Sequence, residues 1–117
     1  MNKIDHKDCQ ASLLPIRDAM DAINGKWKLL IYISISNGNG RFKEIERSIP
    51  DISSKMLAKE LKELEQHQLI KRTVYDASPA LVEYTVTEYS KGLSEILMAL
   101  RKWGMNHRKK IMNKMGE

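Results

Sequence analysis

The stretch Ile52-Ser53-Ser54-Lys55-Met56-Leu57-Ala58-Lys59-Glu60-Leu61-Lys62-Glu63-Leu64-Glu65-Gln66 decides how this chain is read. Leu57, Leu61 and Leu64 recur at i, i+4 and i+7, the spacing that lines side chains along one face of an α-helix. Lys55, Lys59, Lys62 and Gln66 repeat the same spacing. At ~100° per residue their mean direction falls almost opposite the leucines. One face is therefore core and the other basic and polar. Ser53 reads as the N-cap, and Ser53 and Ser54 stand where a helix offers unpaired N–H groups and its positive dipole end to a phosphate. Glu60, Glu63 and Glu65 read as flank residues that leave the central stripe basic. A helix that enters a DNA groove needs this two-sided arrangement. A solvated amphipathic helix has it too, so the stripe alone leaves both readings open.

Upstream, Phe42, Ile45 and Ile49 at i, i+3 and i+7 predict a short helix broken by Pro50-Asp51. Asn37-Gly38-Asn39-Gly40 is a turn, and Lys26 to Ser36, apolar nearly all round, predicts a buried helix. A first helix is expected from Ser12 as N-cap to Asn24-Gly25, with Pro15 in its opening turn and residues 1–11 as a loose flexible arm. Downstream, Leu69–Asp76 and Leu81–Thr87 are β-rich and flank the turn Ala77-Ser78-Pro79-Ala80, which predicts a hairpin. Thr87 is expected to cap a final helix of about 88–115. The predicted class is mainly α with a small β-hairpin: one winged helix-turn-helix domain over 12–117.

The final helix carries Leu93, Ile96, Leu97, Leu100 and Trp103 as a core-like stripe, and Met98, Met105 and Met112 on a different side. A helix apolar on two sides wants two partners. The expected dimer interface is Met98, Met105 and Met112 together with Leu13, Leu14 and Ile16 of the first helix, making the chain a homodimer.

Composition narrows the function. With 20 Lys and Arg against 15 acidic residues the chain carries a net charge of +5, which favours polyanionic partners such as nucleic acid. A single cysteine, Cys9, supports neither a disulfide framework nor a zinc cage. Met1–Gln10 is too polar for a signal peptide and no apolar run spans a bilayer, so a cytoplasmic protein without a membrane partner is expected. His6, His67 and His107 are isolated, and no phosphate loop, nucleophile elbow or Cys-x-x-Cys occurs. No cofactor, no metal and no enzymatic activity are expected. Cys9, if exposed, is open to oxidation, and is equally an ordinary surface cysteine.

Five blocks then stand out in order: Asn24-Gly25-Lys26-Trp27-Lys28-Leu29-Leu30-Ile31, Arg41-Phe42-Lys43-Glu44-Ile45, Ile52-Ser53-Ser54-Lys55-Met56-Leu57, Leu61-Lys62-Glu63-Leu64-Glu65 and Val82-Glu83-Tyr84-Thr85-Val86-Thr87. Together they resemble the HxlR family of bacterial transcriptional regulators, from about Pro15 to Gly104. The resemblance implies a homodimeric winged-helix fold, with the helix opened by Ser53 in the major groove and the hairpin near Pro79 as the wing. It also implies a response to electrophiles or oxidants through an N-terminal cysteine. In the family pattern that cysteine directly precedes a proline, whereas Cys9 is followed by Gln10.

The expected DNA contacts are Ser53, Ser54, Lys55, Lys59 and Lys62, with Arg72 and Ser78 of the wing on the backbone. Lys55 and Lys59, near the helix N-terminus, are expected to reach base edges. The expected partners are duplex DNA bearing a pseudo-palindromic operator, a second copy of the chain, and a small electrophile or oxidant as effector, with Cys9 as its sensor. Two other classes remain: a winged-helix module that binds protein through the methionine face, and a small ligand-binding dimer.

Overall fold

The computed structural model describes residues 6–115, with side chains over 11–113. In chain order the elements are α1 His6–Ile23, α2 Lys28–Ser36, α3 Phe42–Ser48, α4 Ser54–Gln66, β1 Ile70–Tyr75, β2 Leu81–Val86, a 3₁₀ turn Tyr89–Gly92 and α5 Leu93–Met115. The class expected from the sequence, mainly helical with one hairpin, is the class observed. The chain divides after Thr87 into two compact units, described separately below.

In the first unit the core forms where apolar faces of α2, α3, α4 and the hairpin meet. Ile31 and Tyr32 of α2, Ile45 of α3, Leu57, Leu61 and Leu64 of α4 and Ile70 of β1 are buried. The leucine stripe of the fourth helix is therefore core, as its spacing requires. Ile49 and Ile52 flank the turn between α3 and α4 and are buried as well, which fixes the angle at which α4 leaves α3. Asp51 between them takes φ +70°, a left-handed conformation that Asp tolerates better than most residues.

Three local features position α4. Ser53 is its N-cap: the hydroxyl oxygen accepts from the Met56 N–H at 3.0 Å. At the other end His67 is the C-cap and Gln68 turns left-handed at φ +62°. The Leu69 N–H reaches the Leu64 carbonyl at 3.0 Å and the Gln68 N–H the Glu65 carbonyl at 2.9 Å, the paired bonds of a Schellman closure. That closure turns the chain directly into β1.

The hairpin pairs antiparallel from Ile70 opposite Val86 to Tyr75 opposite Leu81. The loop before α3 is stitched to it: the Tyr84 N–H donates to the Gly40 carbonyl at 2.8 Å. A Cβ at Gly40 would stand 3.0 Å from Glu83 Cγ and 3.1 Å from the Tyr84 carbonyl oxygen, so the close approach requires glycine.

Several expectations are corrected. α1 starts at His6, ahead of Ser12, and takes up part of the arm expected over 1–11, since Lys7, Gln10 and Ala11 are good helix formers with no breaker among them. Pro15 consequently lies inside the helix, where it removes one main-chain hydrogen bond. α2 is not buried all round: Leu30 and Ile33 face outward, while Lys28 and Ser34 are buried. Thr87 does not cap α5; its hydroxyl donates to the Gln68 carbonyl at 2.7 Å and closes the base of the hairpin, leaving the 3₁₀ turn to intervene before Leu93. Finally, Glu60 is buried and not a flank residue.

The second unit is the 3₁₀ turn followed by α5. Of the expected core stripe of α5, Leu93 and Leu97 are partly buried, Ile96 and Leu100 are half-exposed and Trp103 is 64% exposed, stacked on His107 at 4.8 Å.

Candidate nucleic-acid interface

The outer face of α4 is the site the fold builds most deliberately. Lys55, Lys59 and Lys62 are all exposed on it. The two serines at its start are engaged inside the protein. Ser53 accepts the capping bond, and the Ser54 hydroxyl donates to the Glu46 carboxylate of α3. That bond, with Lys43 and Arg47 beside it, holds the Glu46 carboxyl below the usual carboxylate range. Both serines therefore fix the entry of the helix, and any contact with a phosphate uses the donors that remain.

The glutamates read from the sequence as flanking charges are handled by a residue on another helix. Lys28 of α2 places Nζ 3.0 Å from Glu60 Oε2 and 3.3 Å from Glu63 Oε2. Burial works against the charge of Lys28, but the hydrogen bonds and charges of the two glutamates outweigh it and raise its pKa above the ordinary lysine value. Burial likewise opposes ionisation of Glu63, and Lys28 overcomes it, leaving that carboxyl below its usual range. Glu65 is exposed. Sequence reading missed this network because Lys28 lies 32 residues from Glu60. Its one trace was a lysine inside an otherwise apolar helix.

On the hairpin, Lys71 and Arg72 are exposed on adjacent residues of β1 and so point to opposite faces of the ribbon. Ser78 is exposed in the loop between the strands. Among the described residues, no group of three or more His, Cys, Asp or Glu side chains is arranged to hold a metal ion. No helix among them is long and apolar enough to cross a membrane. Cys9 falls within the span of α1, but its side chain is outside the described ones.

Two short helices joined by a tight turn, the second basic outside and leucine-packed inside, followed at once by a hairpin, form a winged helix-turn-helix. Residues 22–112 match the model of the HxlR-like helix-turn-helix family. The chain belongs to that family. It is 39% identical over 94 residues to the uncharacterized HTH-type transcriptional regulator YtcD of Bacillus subtilis (strain 168), covering 80% of this chain and 75% of that protein. It is 39% identical over 88 residues to the HTH-type transcriptional regulator YodB of the same organism, covering 75% of this chain and 79% of that one. Its fold superposes on the redox regulator HypR in its reduced form with a TM-score of 0.78 at 34% identity, over 85% of this chain and 98% of that chain. As an HxlR-like protein, then, the chain is a DNA-binding transcriptional regulator, and α4 is the second helix of its helix-turn-helix.

Proposed function

We propose that α4 enters the major groove with Lys55 and Lys59 toward base edges and Lys62 toward phosphate, while Arg72 and Ser78 hold the backbone. The observation that carries this reading is the exposed lysine stripe standing opposite a fully buried leucine stripe on one capped helix. The regulator acts as a homodimer on a pseudo-palindromic operator, with two copies of α4 about one DNA turn apart. Exposed apolar side chains support the dimer: Leu13, Leu14 and Ile16 on α1, and Met98, Met105 and Met112 on α5, with Met98 71% exposed. A soluble monomer rarely leaves so much apolar surface to water. The protein acts in the cytoplasm as a regulator and not as an enzyme, without a cofactor. Because HypR is a redox regulator, an electrophile or oxidant is the proposed effector and Cys9 its sensor.

The test is fluorescence anisotropy at physiological salt, with the upstream region of the protein's own gene against a scrambled duplex, repeated after diamide and with Cys9→Ser. A preference of ~10³-fold or more for the upstream region is the expected result. Loss of that preference on oxidation only while Cys9 is present assigns the sensor. A wild-type protein that binds neither duplex at low salt overturns the placement of α4.

A second reading has one specific observation behind it. On α5, Met98 and Met105 line a groove of about 440 Å³ edged by Arg101, Lys102 and Lys109. A protein-binding module would use that groove for an acidic apolar partner, and would show only weak, salt-labile DNA binding.

A further inference from the structure

The recognition helix carries as many glutamates as lysines: Lys55, Lys59 and Lys62 against Glu60, Glu63 and Glu65. A helix so balanced is a poor ligand for a polyanion unless its acids are neutralised from behind. Lys28 stands in the position to do so. Its side chain and that of Glu60 are each 7% exposed, and its ammonium bridges Glu60 and Glu63. Glu60 gives Lys28 only one of its oxygens, Oε2; the other, Oε1, lies 4.0 Å from the Nζ of Lys59, whose side chain is 65% exposed. Lys59 thus stands at the edge of ion-pair range of a carboxylate that is already taken.

We infer that Lys28 is a positioning residue for DNA binding: by holding Glu60 and Glu63 from inside the fold, it limits Lys59 to a long 4.0 Å contact with Glu60 and leaves its ammonium available on the outer face of α4. This rests on the proposed placement of that face against DNA. Remove Lys28, and among the described residues the cation that remains within 4.0 Å of the buried Glu60 carboxylate is Lys59, on the same helix. A buried carboxylate left without its partner is costly, and a cation within reach lowers that cost. Lys59 then folds back onto Glu60, and the helix loses an outward charge without any change in sequence on its outer face.

The experiment uses a fluorescein-labelled random-sequence duplex of one fixed length, since its binding is electrostatic and needs no knowledge of the operator. Affinity is measured from low to physiological salt, and the slope of log K against log salt counts the phosphates neutralised. The decisive pair is Lys28→Met/Glu60→Gln against Lys28→Met/Glu63→Gln, which carry the same formal charge. The first removes the buried carboxylate that would capture Lys59, leaves only Glu63, whose 38% exposed side chain is served by water as well, and keeps the wild-type slope. The second leaves Glu60 to capture Lys59 and loses about one unit of slope. Adding Lys59→Met then costs about one further unit in the first background and nothing in the second. Equal slopes for the charge-matched pair overturn the inference, because a purely structural or net-charge role treats the two alike. If the second variant does not fold by circular dichroism, Glu60→Gln alone decides. An unchanged slope upholds Lys59 as already free, and a rise of about one unit overturns it, since Glu60 would have been holding Lys59 all along. Absence of salt-dependent binding by the wild type is a separate outcome; it removes the placement of α4 on DNA and this inference with it.

Discussion

Gln68 holds a left-handed conformation at φ +62° in which its side chain costs about 1 kcal/mol or more, a cost that glycine does not carry. Gln68→Gly is therefore expected to stabilise the protein by about 1 kcal/mol, raising the melting temperature by about 3–5 °C. An unchanged or lower value in a thermal melt would mean that the Gln68 side chain holds the Schellman closure in some further way. Gly40 makes the converse case. A Cβ there meets the Tyr84 carbonyl oxygen at 3.1 Å and Glu83 Cγ at 3.0 Å, so Gly40→Ala has to push the loop off β2. A loss of about 1–3 kcal/mol is expected by urea titration. Neither residue announced itself. A glutamine carries no left-handed signal, and Gly40 read as one more member of an Asn-Gly turn. Ser53 was legible as a cap because a serine before an apolar helical run has few other uses. Its two roles are separable. Ser53→Asp keeps the cap and the melting temperature, but sets a negative charge against the phosphate and weakens duplex binding. Ser53→Asp binding DNA as the wild type does would remove the N-terminus of α4 from the interface.

At the scale of elements, the joint between α2 and α4 is ionic where most of the core is apolar. Taking away one partner of a buried pair strands the other, and Lys28→Met is expected to cost on the order of 3 kcal/mol by chemical denaturation. A cost near zero would show that water reaches Glu60 and satisfies it once Lys28 is gone. The same joint sets a pH window. Glu63 releases its proton more readily in the folded chain than in the unfolded one, so the unfolded chain binds more protons at low pH. Its contribution is complete above the ordinary carboxylate value of 4.5 and fades as pH falls through the lower folded value. Lys28 holds its proton more tightly when folded. Its contribution is complete below the ordinary lysine value of 10.5 and fades as pH rises through the higher folded value. Thermal melts across pH should show a plateau between these limits, and Lys28→Met should flatten both edges. Edges that persist unchanged in that variant would assign the pH dependence to other groups.

For the whole molecule, the question is what covers the apolar faces of α1 and α5. Leu14 at 64% and Met112 at 63% exposed are expected to meet a second subunit, with each helix presenting its own face. Met98→Glu/Met105→Glu sets two carboxylates into that face and should turn the proposed dimer into a monomer by sedimentation equilibrium. Binding to a palindromic duplex should fall with it, toward the affinity for a half-site. A variant that remains dimeric would place the interface elsewhere.

What the sequence determined by itself was whatever rests on local periodicity. The leucine and lysine stripes of α4, its serine cap, the hairpin and the order of elements all follow from the 3.6- and 2-residue repeats and from turn residues, which neighbours in the chain decide among themselves. The class and the candidate DNA face followed from these. Only the tertiary structure decided the rest. It sent Lys28 inward to Glu60 and Glu63, gave the Ser54 hydroxyl to Glu46, tied Thr87 to the turn after α4 and left Ile96, Leu100 and Trp103 of α5 exposed. The physical reason is common to all four. Periodicity states which side of an element differs from the other, but a charge or an apolar face is satisfied by whatever the fold brings against it, and that partner lies far away in the chain.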